Sequence, residues 1–215
     1  MKNLLYKEFH LVINPLYYLT VLFGALLLIP QWLYFIAMMY FFFFIIPTIF
    51  NNAKAMNDVG FTIMLPVRKR DVVKARVLSV ATLELIQIAG GAVFTILNMA
   101  IYPWGNFAID ANLAYLGCVF IMYGIFNVIF FPLYYRTAYK IGWPITIALT
   151  AVFLFAFGVE MLVQFEPTAA YVLDGITREA LIRQVPVLVG GIVLGALLTV
   201  LGYIRSVKNF EKVDL

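Results

Sequence analysis

Charge is scarce in this 215-residue chain: Asp, Glu, Lys and Arg make up 12% of it, about half the share in ordinary soluble domains. Histidine and cysteine are almost missing, with one of each, His10 and Cys118. A metal site built from His and Cys clusters is therefore excluded by count, as is a Ser–His or Cys–His nucleophile pair within the apolar segments. A lone cysteine leaves no partner for an intramolecular disulfide. Nowhere does Gly-Lys precede Ser or Thr, so the chain lacks the loop that cradles nucleotide phosphates. An intramembrane aspartyl protease needs two aspartates on facing spans. Asp58, Asp71, Asp110, Asp174 and Asp214 all fall in connections or tails. The chain reads as non-catalytic, with no metal and no cofactor of its own.

What fills the space instead is apolar: 64% of residues are hydrophobic and the mean hydropathy is +0.97. Six long apolar segments cover about 15–29, 33–50, 77–101, 111–131, 143–163 and 185–204. Most have the roughly 17–25 residues that a helix needs to cross a bilayer core, and the first lies near the lower limit. Threading the chain through a membrane six times gathers thirteen of its fifteen Lys and Arg residues on one side, leaving only Arg178 and Arg183 opposite. Basic residues near span ends are retained in the cytoplasm, which places both termini there. The net charge of +4 then follows from topology and needs no nucleic acid. The expected fold is an all-α membrane protein of six transmembrane helices. It has an N-terminal interfacial helix over 1–14, a single six-span domain over 15–204 and a cytoplasmic tail over 205–215. The first apolar segment follows basic residues as a signal peptide would, but no small-residue cleavage site follows it, and it reads as an uncleaved anchor.

Within 2–14, Asn3, Lys7, His10 and Asn14 recur at helical spacing, while Leu4, Leu5, Phe9, Leu11 and Val12 fill much of the remaining surface. That pattern suits a helix lying in the headgroup layer. Asn14-Pro15 then predicts a break, with a continuous tilted first span as the alternative. Trp32, Trp104 and Trp143 sit beside span ends, where indole rings favour the headgroup level. The Phe41–Phe44 run reads as lipid-facing or packed bulk. Gly191 and Gly195 have the spacing of a close helix–helix contact, and packing within one subunit is the favoured reading over dimerisation.

Two acids interrupt the apolar segments. Glu84 lies about two turns into the third span, with Gln87 on much the same face. A charge there costs at least roughly 2.5–3.5 kcal/mol, so Glu84 should face protein or water. It is either a pathway residue or a hydrogen-bonded carboxyl between helices. Glu160 lies at the outer end of the fifth span with Glu166 just beyond, and interfacial solvation is its simplest explanation. Both Glu84 and Glu160, with Gln87, are candidates for lining a translocation pathway.

The most distinctive stretch is 51–76, which starts polar, becomes apolar at 61–65, breaks at Pro66 and turns strongly basic. Pro66 predicts a turn or helix start, with Asp71 in the first turns, where its charge suits the helix dipole. The Met-Leu-Pro-Val-Arg-Lys-Arg-Asp-Val-Val-Lys-Ala-Arg run at 64–76 resembles the segment between the second and third spans of type-2 ABC exporter permeases. The outline is similar over the whole length, and the chain looks like the small permeases of Gram-positive peptide exporters, such as those that expel phenol-soluble modulins.

That resemblance implies a permease that works as a homodimer in a bacterial plasma membrane, beside a separate ATPase subunit holding ATP and Mg²⁺. A coupling helix would dock on the ATPase within 51–60, making Asn51, Asn52, Lys54, Met56, Asn57, Asp58 and Phe61 the expected contacts. The 132–142 loop, with Arg136 and Lys140, would be a second contact, and 164–184 would cap the exit with short helices. The cargo would be hydrophobic or amphipathic, a cationic peptide foremost. The same machine could carry an antibiotic, a lantibiotic, a lipid or an ion. An ATPase-independent channel or scaffold is the rival of a different class, and it lacks the polar stripe that a channel requires.

Overall fold

The computed structural model describes residues 2–137 and 140–213. Asp214 and residues 138–139 of the 132–142 loop lie outside the described residues. Among those described, the chain forms helices α1 (Lys2–Val12), α2 (Pro15–Leu28), α3 (Phe35–Ala55), α4 (Asp58–Met64), α5 (Lys69–Ile101), α6 (Leu113–Tyr135), α7 (Gly142–Phe165), α8 (Pro167–Leu173) and α9 (Arg178–Glu211), and no strand. Helices α3, α5, α6, α7 and α9 are each long and apolar enough to cross a membrane, and the bent pair α1–α2 supplies up to a sixth crossing.

The break at Asn14-Pro15 is present: α1 and α2 meet at 70°. Asn14 is extended and its side chain accepts the Leu16 N–H at 2.9 Å, while Pro15 opens α2, where its missing N–H costs nothing. The short first segment solves its length problem by winding. Helix α2 is a 3₁₀ helix of 14 residues. At about 2.0 Å per residue it covers ~28 Å, where an α-helix would reach only ~21 Å. That nearly matches a hydrocarbon core of about 30 Å. It lies against α5, with Val21 facing Gly90 and Gly24 facing Phe94.

Helices α5 and α9 run well past the apolar segments, with 33 and 34 residues. At 1.5 Å per residue each is ~50 Å long, so both project from the bilayer. In α3, one turn over Phe41–Ile45 is π-wound just before Pro47, which opens the α-helical stretch that follows. The phenylalanine run divides: Phe41 and Phe42 are fully buried, whereas Phe43 and Phe44 are exposed. Phe42 stacks on Phe126 at 4.2 Å, and Phe50 meets Phe130 and Tyr134 edge-on, which seals α3 to α6.

The closest pair is α6 and α9. Gly191 faces the Gly117 carbonyl, Gly195 faces that of Phe120, and Gly202 faces that of Asn127. Removing side chains lets the two backbones touch. The Gly191 and Gly195 contacts are therefore made inside one chain, the reading favoured over dimerisation.

Contacts sort the connections into two ends. One carries α1, the 56–68 connection, the turn after Tyr135 and the end of α9, where Lys69 Nζ donates to the Val213 carbonyl at 2.7 Å. This is the basic end. At the far end, Asn106 exchanges hydrogen bonds with the Trp32 backbone, and Asn112 reaches the Leu173 carbonyl.

Candidate functional site

The basic end is built around a short helix that the sequence isolates on both sides. Asn57 adopts a left-handed conformation (φ 48°, ψ 36°), which asparagine tolerates better than most residues, and so separates α3 from α4. Leu65, held extended by Pro66, ends α4. Asp58 opens the helix and Thr62 caps back to its carbonyl at 2.7 Å.

Three helices deliver four charges to one point here. Arg76 of α5 binds Glu8 of α1 through Nε at 2.5 Å and Nη2 at 3.2 Å, and Asp58 of α4 through Nη2 at 2.7 Å. Lys7 of α1 binds Asp58 at 2.7 Å, Glu8 at 3.2 Å and the Thr62 hydroxyl at 3.0 Å. The Arg76 guanidinium also lies 5.5 Å from the Phe50 ring centre. Glu8 is 1% exposed and Arg76 3%. Two cations and two carboxylates balance, and Arg76 bridges both acids as a planar guanidinium can. The knot fixes α4 rigidly to α1 and α5, and Phe50 carries the contact on to α3.

What α4 and the turn before it show outward is apolar. Met56 is 71% exposed, Phe61 61% and Met64 84%. Such a patch, rimmed by charge on a loop, marks an interaction surface.

The expected contact residues divide. Asn51, Asn52 and Lys54 belong to the end of α3, not to a separate helix, and Asn52 turns inward to the Tyr17 hydroxyl at 3.1 Å. Met56 and Asn57 form the turn, and Asp58 and Phe61 sit on α4. The independent helix is thus Asp58–Met64, a few residues beyond the anticipated 51–60. Arg136 and Lys140 are exposed at the same end, beside Leu133 and Trp143. Asp71 does stand in the first turn of α5, paired with Arg68 at 3.0 Å. Arg76 was anticipated only as part of the basic cluster. Its real signal was position: it stands beside the apolar run, where solvent is thin and a partner is needed.

The pathway candidates do not converge. Glu84 lies near the middle of α5, buried, and accepts a hydrogen bond from Asn127 Nδ2 at 2.8 Å. Gln87 is buried one turn along. Glu160 sits at the far end between α3 and α7, and it is 8% exposed, not solvated. The 102–112 loop folds over it, and its Oε2 accepts the Ile109 N–H at 3.0 Å. Glu166 is exposed as anticipated.

Sequence reading also missed an acid pair that closes the far end. Asp110 accepts the Asn106 N–H at 2.6 Å and the Gly175 N–H at 3.1 Å, while Asp174 accepts the Asp110 N–H at 2.9 Å. Burial, reinforced by the adjacent Asp174 carboxylate, pushes Asp110 up to about 6. That lies above the unfolded value of about 3.9, so the folded state holds the proton more tightly. Stability from this pair is greatest with the proton on and is lost as pH rises from about 4 through about 6. Melting temperature in detergent should fall over that window, and Asp174→Asn should flatten the fall.

No curated protein and no solved structure matches the chain. A family model described as ABC-2 family transporter protein matches residues 3–211, nearly the full length. Apolar helices of spanning length, bound to a charged knot beneath an exposed short helix, fit that description. The chain belongs to the ABC-2 family of transporter proteins and is the membrane-spanning permease of an ABC transporter.

Proposed function

We propose that this permease is the membrane half of an ATP-driven exporter in a bacterial plasma membrane, coupled through α4 to a separate ATPase subunit that holds ATP and Mg²⁺. The observation that carries this reading is the pairing of an exposed apolar face on α4 with a buried ionic knot behind it. A partner pressing on Met56, Phe61 and Met64 moves Asp58, and Asp58 cannot move without Arg76 and Lys7. Force applied at the surface is thereby passed to α5 and α1. The energy to shift the bundle comes from a ligand that distinguishes its states, here ATP bound to the partner chain. The distribution of Lys and Arg supports a basic end that faces the cytoplasm, with both termini there. Two copies supply the full set of spans. The cargo is hydrophobic or amphipathic, peptides foremost, because the spans offer few polar groups to enclose a hydrophilic solute.

The test is co-expression with the ATPase subunits of the source cell and purification in mild detergent. The native chain should bring down one ATPase. Phe61→Glu should lose it while remaining monodisperse, because a charge replaces the apolar contact without touching the knot. Retention of the ATPase by Phe61→Glu would remove α4 from the coupling surface.

A further inference from the structure

Glu84 stands close to the midpoint of α5 and is 4% exposed. Its Oε2 is bonded to Asn127 Nδ2, which also donates to the Thr199 hydroxyl at 3.0 Å. Its Oε1 has no partner. Neither has Asn127 Oδ1, nor either amide atom of Gln87, which is fully buried one turn along. Buried polar atoms are almost always hydrogen-bonded, and a position two turns inside an apolar span has little solvent to substitute. The unmet Glu84 oxygen suits a ligand that carries hydrogen-bond donors.

The occupant's chemistry follows from the inventory. Beside Glu84 a cleft of about 270 Å³ opens between α5, α6 and α9. Apart from Glu84 and Thr199, its walls are apolar, with Ile88, Phe120, Tyr123 and Ile192 prominent. No Lys or Arg occurs in 77–101, 113–135 or 185–204, so Glu84 has no counter-charge within the apolar part of its own helix or of either helix facing it. Glu84 Oε1 lacks a donor in the cleft, while Asn127 Oδ1 and Gln87 Oε1 lack donors on residues outside its lining. An ammonium group brings one positive charge and three donors. A lipophilic anion is repelled by Glu84, and a neutral apolar ligand leaves every acceptor unmet. Among the described residues no cluster has the acids or histidines to hold a metal ion.

We propose that this cleft is an intramembrane binding site for a primary ammonium carried on an apolar body, with Glu84 as its counter-charge. The ammonium binds Glu84 Oε1 and the Thr199 hydroxyl, and the apolar portion lies along Ile88, Phe120 and Ile192. This deepens the transport reading and takes its functional meaning from it. Two sources share the chemistry: the amine headgroup of a membrane lipid, and the lysine side chain of an amphipathic peptide.

The test uses the full chain in nanodiscs of phosphatidylcholine, which has no primary amine. A long-chain alkylamine bearing a diazirine is photolysed, adducts are mapped by mass spectrometry, and the alcohol of equal length serves as the neutral probe. The amine should label the walls of this cleft at least about tenfold more than the alcohol. Glu84→Gln, which keeps the bond to Asn127, should reduce amine labelling to the level of the alcohol. Ile192→Trp, which fills the cleft from its rim and leaves the polar cluster intact, should block labelling as well. Equal labelling by amine and alcohol, or amine labelling that both variants leave unchanged, would overturn the site. Competition by added phosphatidylethanolamine assigns the ammonium to lipid, and competition by a lysine-bearing amphipathic helix assigns it to peptide. No ATPase takes part, so absent labelling with intact ATPase co-purification fails the site alone. Labelling without any ATPase partner fails the transport reading alone.

Discussion

Arg76→Ala destabilises the folded protein by about 3–5 kcal/mol, the cost of leaving buried charges without their partner. Two carboxylates, Glu8 and Asp58, would then face each other with only Lys7 between them. Arg76→Lys should recover little, since an ammonium cannot reproduce the three bonds that the guanidinium makes to two acids on different helices. The double change Glu8→Gln with Arg76→Met should recover part of the loss, because it removes a buried charge from each side. Thermal unfolding in detergent, followed by the monodisperse fraction on size exclusion, gives the ranking. An Arg76→Ala variant as stable as the native chain would mean that the knot is water-filled and carries no force.

Gly191→Leu is the second large effect. A Cβ at this position would meet the Gly117 carbonyl, a backbone group that no rotamer change can move aside. The two longest-contacting helices must then separate, at a cost of about 3 kcal/mol. Gly190 has open space where its Cβ would stand, so Gly190→Leu should fall within about 0.5 kcal/mol of native. The neighbouring pair separates steric exclusion from helix propensity, which is the same for both. Comparable damage from both changes would place the helix contact elsewhere.

Much of the architecture was legible because the bilayer imposes it. A run of apolar residues long enough to span must be helical, and Asn14-Pro15 announces a break by chemistry that is local. The errors share a cause: polarity marks where water begins, not where a helix ends. Asn51, Asn52 and Lys54 are polar yet continue α3, so the short helix starts later than their character suggested. Lys69–Arg76 and Arg205–Glu211 extend α5 and α9 beyond the apolar runs for the same reason. The pairing in the knot was not legible: Glu8 and Arg76 are 68 positions apart, and the place of Arg76 beside the apolar run signals burial without naming a partner. Glu160 was read as solvated because a sequence does not show that the 102–112 loop folds back over it.

The central claim is that α4 transmits force between a separate ATPase and the bundle. Site-specific cross-linking in native membranes tests it most directly. With Cys118→Ser as background, Phe61→Cys places a thiol on the exposed face of α4, and Phe165→Cys places one at the far end. The account predicts that a short bifunctional reagent joins Phe61→Cys to an ATPase subunit, that Phe165→Cys gives no such product, and that ATP changes the yield at α4. An ATPase captured only from Phe165→Cys, or from neither position while the chain remains folded and inserted, would contradict it.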